Sequence, residues 1–246
     1  PGFAVQAREL TQLQSILQNQ IERHGQHVFK EGTVIIPGQL SISNSYTSIQ
    51  LASQFGGEDV VVAQYLNTTT PVTITGATSG VKAQVIGVDA GTSTTQPRLY
   101  IRYTQAGTDN STQVFSDSEN ITADASITHT TTYATNVASA TTHTTASQTG
   151  TSAKIESGVY YIRGQFVRVA EQTHVVNATS TTASARVGFT ITESLITPES
   201  DSSLTDNATG SANFAAKGAH RLKIDLVLAA LDTTSTSDDS FIEIAR

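Results

Sequence analysis

Residues 1–25, PGFAVQARELTQLQSILQNQIERHG, decide the fold because they predict one amphipathic helix before a chain of strands and turns. Apolar residues recur here at spacings of three, four and four, and at about 100° per residue they share one helix face. The members of this apolar stripe are Leu10, Leu13, Leu17 and Ile21, widened by Ile16. We predict that these five residues form an oligomer interface.

The predicted helix needs a partner for its stripe. Gly25 stands where a glycine often ends a helix, which gives roughly eighteen helical residues and a length of about 27 Å. One such helix cannot bury its own apolar face. It must lie on a sheet of its own chain or pair with copies of itself.

Composition excludes one class of function. The chain has 14 Lys and Arg against 21 Asp and Glu, and residues 103–153 contain no Lys or Arg. Nucleic-acid binding needs clustered cations for phosphate contacts, so no nucleic-acid partner is expected. Thr, Ser and Gly are abundant, which favours strands and turns over helices.

Other absences limit the chemistry. There is no cysteine, hence no disulfide framework, thiolate metal site or cysteine nucleophile. No apolar run approaches the roughly 18 residues of a membrane span, so no membrane insertion is expected. Because the chain begins at Pro1 without an initiator methionine, we expect a processed chain or a segment of a longer protein.

Strand patterns predict a mainly β fold with one N-terminal amphipathic helix, antiparallel strands and an inserted small β-barrel or sandwich module, assembled as an intertwined oligomer. Four segments are predicted. They are the N-terminal helix and strands (1–66), the inserted β module (67–122), a Thr/Ser-rich linker or extended segment (123–158), and a C-terminal β region that completes the core with the first segment (159–246).

The Thr/Ser-rich segment has two interpretations. Between about residues 123 and 151, half of the side chains carry hydroxyls, too little apolar surface for a separate core. The segment is a flexible linker in a monomer, or an ordered strand that pairs with a neighbouring copy in an intertwined oligomer.

Several phrases resemble an uncharacterised family of tailed-bacteriophage virion proteins, found in cyanobacterial and marine phages as tail-fibre or baseplate components. The matching phrases are the helix sequence above, KEGTVIIPGQ, GVYYIRGQFVRV and, most specifically, VGFTITESLITPESDSSLTDNATGSANFAAKGAHRLKIDLVL. The resemblance covers most of the chain and implies a place in the phage tail. It carries over no catalytic residue and no cofactor.

Acidic residues near ITPESDSSLTDN offer one enzymatic hypothesis. Glu193 and Glu199 with Asp201 could supply the two carboxylates of a polysaccharide depolymerase, and Asp206 lies close in sequence. The favoured interpretation is a turn-rich loop whose side chains cap backbone amides. No enzyme activity is therefore predicted.

The histidines and remaining aspartates give no metal site. His24 and His27 flank the predicted helix end and should not share a face, although three copies of His24 could converge on the axis of a trimer and bind an ion. In the Thr-rich segment, His129 and His143 should be solvated, and His220 should make a structural hydrogen bond. A solvated turn explains Asp232, Asp238 and Asp239, which lack calcium-loop spacing.

Two functional classes remain beside the enzyme. The first is a structural tail component, a homo-oligomer expected to be a trimer, which contacts other tail or baseplate proteins and holds distal fibre modules. The alternative is a module that binds a host glycan or protein receptor through the insert. Its Tyr100 and Tyr103 are three apart on a strand and face opposite sides, which counts against a sugar platform. A bacterial adhesin would share the composition but not the phage-like phrases.

Overall fold

The computed structural model describes residues 7–36, 38–236 and 238–246. Within them the chain is mainly β with one N-terminal α-helix and antiparallel sheets, which confirms the predicted fold class. The elements are α1 (Ala7–Val28), β1 (Val34–Ile36), β2 (Leu40–Leu51), β3 (Gln54–Phe55), β4 (Glu58–Asp59), a 3-10 turn (Val62–Tyr65), β5 (Thr73–Gly76), β6 (Lys82–Asp89), β7 (Arg98–Gln105), β8 (Asn120–Ala123), β9 (Ile127–Thr128), β10 (Thr132–Tyr133), β11 (Ala138–Ile155), β12 (Gly158–Ile162), β13 (Gln165–Val169), β14 (Gln172–Asn177), β15 (Arg186–Ile196), a 3-10 turn (Ser202–Leu204), β16 (Arg221–Leu231) and β17 (Phe241–Ala245).

The chain divides into two compact units that differ from the four predicted segments. The helix unit comprises residues 1–41, 153–174 and 184–246, and the barrel unit comprises 42–152 and 175–183. The predicted first segment, 1–66, is split between them, and its residues 1–6 lie outside the described residues.

The barrel unit is built on a sheet whose strands close on themselves. Its neighbours run in the order β14-β11-β2-β7-β6-β5-β8, and a further pairing between β11 and β8 completes a ring of six strands. The predicted insert, 67–122, contains β5, β6, β7 and all of β8 except its last residue. Closure also requires β2 and β11, which the prediction had placed in flanking segments.

Side chains that point inward at every second strand position fill the barrel. Inward positions of β5, β6 and β7 are Ile74, Val85 and Ile101, all buried. Tyr65, from the 3-10 turn, is fully buried and its hydroxyl contacts Ser139 Oγ at 2.7 Å. Burial raises the pKa of Tyr65 to about 12, and the hydrogen bond to Ser139 opposes part of that shift.

The Thr/Ser-rich segment forms a barrel strand rather than a linker. β11 is 18 residues long, and its inward positions are small side chains such as Ala140 and Ala146. Its hydroxyls form hydrogen bonds with backbone groups of neighbouring loops. Thr142 Oγ1 donates to the Ser116 carbonyl at 2.7 Å and accepts from the Glu119 amide at 2.9 Å. The segment needs no core of its own because it completes a core built by other strands.

A buried carboxylate joins two loops of the barrel unit. Glu119, 3% exposed, accepts hydrogen bonds from the amides of Thr78, Ser79 and Ser116 and from the Ser79 hydroxyl, at 2.7–2.8 Å. Four donors offset the cost of removing this charge from water. The loop before β6 and the loop before β8 are thereby fixed together.

The helix unit contains two three-stranded antiparallel sheets. One has the order β1-β12-β13 and the other β16-β15-β17. Tyr160 of β12 meets Phe189 of β15 edge to face, with ring centroids 4.7 Å apart, and both side chains are fully buried. Tyr160 also donates its hydroxyl to the Gly38 carbonyl at 2.8 Å.

A two-residue turn connects β12 to β13. Ile162 pairs with Gln165, and the turn residues Arg163 and Gly164 have φ of 47° and 77°. Two consecutive positive φ values define a type I′ turn, whose twist matches that of a hairpin. The amide of Arg163 donates to the carboxylate of Glu31, which supports this less common conformation.

The predicted helix end at Gly25 is wrong. α1 continues to Val28, and Gly25 lies buried inside it. A Cβ at this position would lie 2.5 Å from Tyr161 Oη and 2.6 Å from Tyr161 Cε2. Glycine is needed here for the close approach of an aromatic ring, not for a cap.

We predict that Gly25→Ala destabilises the protein although alanine favours helices. The added methyl group must displace the Tyr161 ring, which is 1% exposed, and overpacking of this kind costs about 1 to 3 kcal/mol. Chemical denaturation would measure the loss. The matched control is Gln26→Ala on the exposed neighbouring residue, and equal stability of both variants would contradict the packing role.

Candidate functional site

The apolar stripe of α1 is exposed. Every side chain from Arg8 to Ile21 is exposed to solvent. The exposed fractions of the stripe residues are 61% for Leu10, 56% for Leu13, 47% for Ile16, 50% for Leu17 and 56% for Ile21. An apolar helix face is ordinarily covered by packing, and exposed apolar patches are typical of interaction surfaces.

The helix meets its own sheet through a different face. Tyr161 packs against Gly25 and donates its hydroxyl to the Glu22 carbonyl at 3.1 Å. At 100° per residue, Gly25 and Glu22 lie about 100° to 150° around the helix from the middle of the stripe. Packing on its own sheet therefore leaves the stripe uncovered.

Aromatic residues hold the end of α1 in this orientation. Phe29 lies just beyond the helix, with its ring 5.5 Å from Tyr161 and 5.8 Å from Phe166, between centroids. Such aromatic pairs contribute about 0.5 to 1.5 kcal/mol beyond their buried area. The last turn of α1 is anchored, whereas its first fourteen residues extend from that anchor.

Two histidines share one side of α1, contrary to prediction. Because the helix continues to Val28, His24 and His27 are helical residues three apart. His24 continues the stripe, and His27 Nδ1 lies 2.7 Å from the Arg23 carbonyl. The described residues contain no group of three or more His, Cys, Asp and Glu placed to hold a metal ion.

Another histidine is structural rather than solvated. His129 Nδ1 accepts from the Val61 amide at 3.1 Å, and Nε2 lies 2.7 Å from the Ser139 carbonyl. The ring therefore links β11 to the 3-10 turn of the barrel unit. His143 is half-buried, and His220 is exposed.

Each carboxylate of the depolymerase hypothesis already has an ion-pair or hydrogen-bond partner. Glu193 is paired with Arg163 at 2.8 Å, and Glu199 with Lys217 at 2.5 Å. Asp201 accepts from the Ser203 amide at 2.9 Å as a helix cap, and Asp206 accepts from the Ala208 amide at 2.8 Å. These are the contacts expected of a turn-rich loop.

The electrostatics of Glu199 and Asp201 do not suit a general acid. The pKa of Glu199 is lowered to about 2 by its hydrogen bond to Lys217, and that of Asp201 is lowered by Ser203. A glycosidase acid needs a raised pKa to be protonated near neutral pH. The loop provides no such environment for either residue.

The tyrosines of the receptor-binding hypothesis belong to the barrel wall. Tyr100 is 8% exposed, and its ring lies 5.3 Å from that of Tyr46. Tyr103 stacks on Phe115 with centroids 6.1 Å apart. Neither forms part of an exposed aromatic platform.

The aspartates between the last two strands have structural contacts. Asp232 accepts from the Thr234 amide at 2.8 Å, and Asp238 pairs with Arg186 at 2.8 Å. The Asp239 carbonyl accepts from Arg163 at 2.7 Å. This turn is therefore tied to β15 and the β12–β13 hairpin, beyond the predicted solvated turn.

Sequence reasoning missed a second exposed apolar group. Leu195 and Leu222 are direct cross-strand partners, 64% and 60% exposed, and Phe166 of β13 is 51% exposed. The alternating pattern of each strand was visible in sequence. That pattern does not indicate which positions of a strand stay uncovered, and these three apolar side chains lie in such an uncovered part of the sheets.

The ion pair of Glu199 gives a pH prediction. In Lys217→Met, the pKa of Glu199 should rise from about 2 toward its usual value of 4.5, as measured by carboxyl carbon NMR titration. Since the folded-state pKa is depressed, the pair stabilises the fold above about pH 4.5 and is lost as the pH falls toward 2. Asp201, capped by Ser203, should titrate unchanged as the control. A wild-type Glu199 midpoint near 4.5 would contradict the pairing.

Comparison with known proteins gives limited information. No helix in the described residues combines the length and apolar character needed to cross a membrane. No curated protein matches the chain, and no solved structure does. A family described as a domain of unknown function, DUF4815, matches residues 136–244, the stretch that carries β11 to β17.

Proposed function

We propose that this chain is a structural subunit of a bacteriophage tail, in the tail fibre or baseplate, that assembles as a homo-oligomer through α1. One observation carries the proposal: the apolar stripe is exposed on the face of α1 that points away from its own sheet. The resemblance to virion proteins supplies the setting. Contacts with other tail proteins follow from that setting.

The stripe is large enough to drive assembly. Full burial of one Leu or Ile stabilises by about 1.5 to 3 kcal/mol. Five side chains that are each about half exposed would therefore contribute on the order of 4 to 8 kcal/mol per copy. Association costs on the order of 4 to 15 kcal/mol for each copy that joins, which is the same order as the free energy that the stripes of two copies contribute together.

The width of the stripe favours a trimer. At 100° per residue, the stripe spans about 140° from Ile16 to Ile21, which is wider than a two-stranded seam. In a trimer each helix contacts two neighbours, so a wide face is fully used. Three helices would then share one axis, as expected of an adaptor that holds distal modules.

Truncation of the stripe should weaken the assembly. Leu13→Ala and Leu17→Ala should each cost about 2 to 5 kcal/mol per copy, because each removes a packed side chain. Light scattering after size-exclusion chromatography, over a dilution series, would show dissociation of the double variant. Gln12→Ala with Asn19→Ala, on the opposite face, should leave the oligomer unchanged. A monomeric wild-type chain, or a double variant as stable as wild type, would refute this role of the stripe.

The location of the chain in the phage particle tests the proposal that it is a tail component. Gold-labelled antibodies against the purified chain should bind the tail of the phage that encodes it when particles are viewed by electron microscopy. Antibodies against the major capsid protein serve as the control for labelling elsewhere. Label on the capsid, or particles that lack the chain on immunoblotting, would reject a tail location while leaving the oligomer result intact.

A further inference from the structure

A groove in the helix unit is lined by two strand edges. One wall is the outer edge of β13, the other is the outer edge of β16, and Gln18 of α1 lies beside them. The lining residues are Gln18, Gln165, Phe166, Val167, Arg168, Leu222, Lys223 and Ile224. All belong to the helix unit.

The edge of β13 presents unpaired backbone groups. Ile162 and Gln165 flank the two-residue turn and form the first hydrogen-bonded pair, so Gln165 and Val167 point toward β12. The amides and carbonyls of Phe166 and Arg168 therefore point outward into the groove. Among the described residues, neither amide has a backbone partner.

The edge of β16 is closed along one part and open along another. The Gln172 side chain donates to the Leu226 carbonyl at 2.9 Å and accepts from the Leu228 amide at 2.7 Å, as a neighbouring strand would. By alternation, the outward groups of Leu222 and Ile224 continue the same edge. This is the part of β16 that lines the groove.

The groove walls combine apolar surface with positive charge. Phe166 and Leu222 are 51% and 60% exposed. Arg168 has no ion-pair partner among the described residues, whereas Lys223 pairs with Asp225 at 2.7 Å. A strand with apolar side chains and carboxylates would complement these walls, and this chain is itself acidic, with 21 Asp and Glu against 14 Lys and Arg.

We propose that the groove binds an extended strand of a second copy of this chain, which pairs with the free edge of β13. Unprotected edges of this kind recruit strands from other chains, and main-chain hydrogen bonds supply the affinity. The inference rests on the proposed homo-oligomer. Gln18 in the groove wall lies about 100° around the helix from Leu17 of the stripe, so the groove and the stripe are on adjoining sides of α1.

Hydrogen exchange of single amides tests this pairing. In the wild-type oligomer, the amides of Phe166 and Arg168 should exchange at least about 100-fold more slowly than in a chain held monomeric by Leu13→Ala and Leu17→Ala. The amides of Gln165 and Val167 serve as internal controls, because they pair with β12 and should be protected in both states. Mass spectrometry with residue-level fragmentation gives the rates.

Each result has a distinct meaning. An oligomer in which Phe166 and Arg168 exchange as fast as in the monomer refutes the strand pairing but leaves the stripe interface standing. Protection of both amides already in the monomer means that the chain fills its own groove, which also refutes the proposal. A wild-type chain that is monomeric at all concentrations refutes both the proposed homo-oligomer and the strand pairing that rests on it.

Photo-crosslinking identifies the occupant. Phe166→p-benzoylphenylalanine, in a mixture of isotopically heavy and light chains, should give heavy–light crosslinks to an extended segment of the second copy. The same probe at Val114, exposed on the barrel unit, is the matched control and should give none. Crosslinks confined to one chain at position 166 would overturn the assignment to a second copy.

Discussion

The close contact between Tyr161 and Gly25 determines how α1 can be used. The ring occupies the space that a side chain at position 25 would need, and its hydroxyl bonds the Glu22 carbonyl. This contact fixes the rotation of the helix about its own axis, so the stripe faces away from the sheet. The contact anchors only the end of α1, and every side chain from Arg8 to Ile21 stays exposed, so the stripe is available for assembly.

The barrel unit shows how a strand poor in apolar residues can still be part of a core. β11 contributes Ala140 and Ala146 inward, and larger residues from β5 to β8 fill the remaining volume. Its hydroxyls and the Glu119 carboxylate satisfy buried backbone amides of adjoining loops. Small side chains therefore let β11 complete a barrel that larger residues of the other strands already fill, and the polar atoms hold the loops in place.

The sequence predicts local periodicity well and tertiary neighbours poorly. Spacing alone placed Leu10 to Ile21 on one helix face, and alternation predicted the β class. A glycine at position 25 is compatible both with a helix end and with the close approach of an aromatic ring, and local sequence does not distinguish the two. The free amides of Phe166 and Arg168 depend on hairpin register and on which strand lacks a neighbour, and both are set by contacts distant in sequence.

The path of the chain has a mechanical consequence. The backbone passes between the two units at four points, after residues 41, 152, 174 and 183. Tension applied between the units would be divided among four covalent connections, whereas domains joined by one linker load a single strand. A protease that cuts one crossing would not release either unit. Genetic exchange of the barrel unit would likewise need two separate sequence blocks, 42–152 and 175–183, to move together.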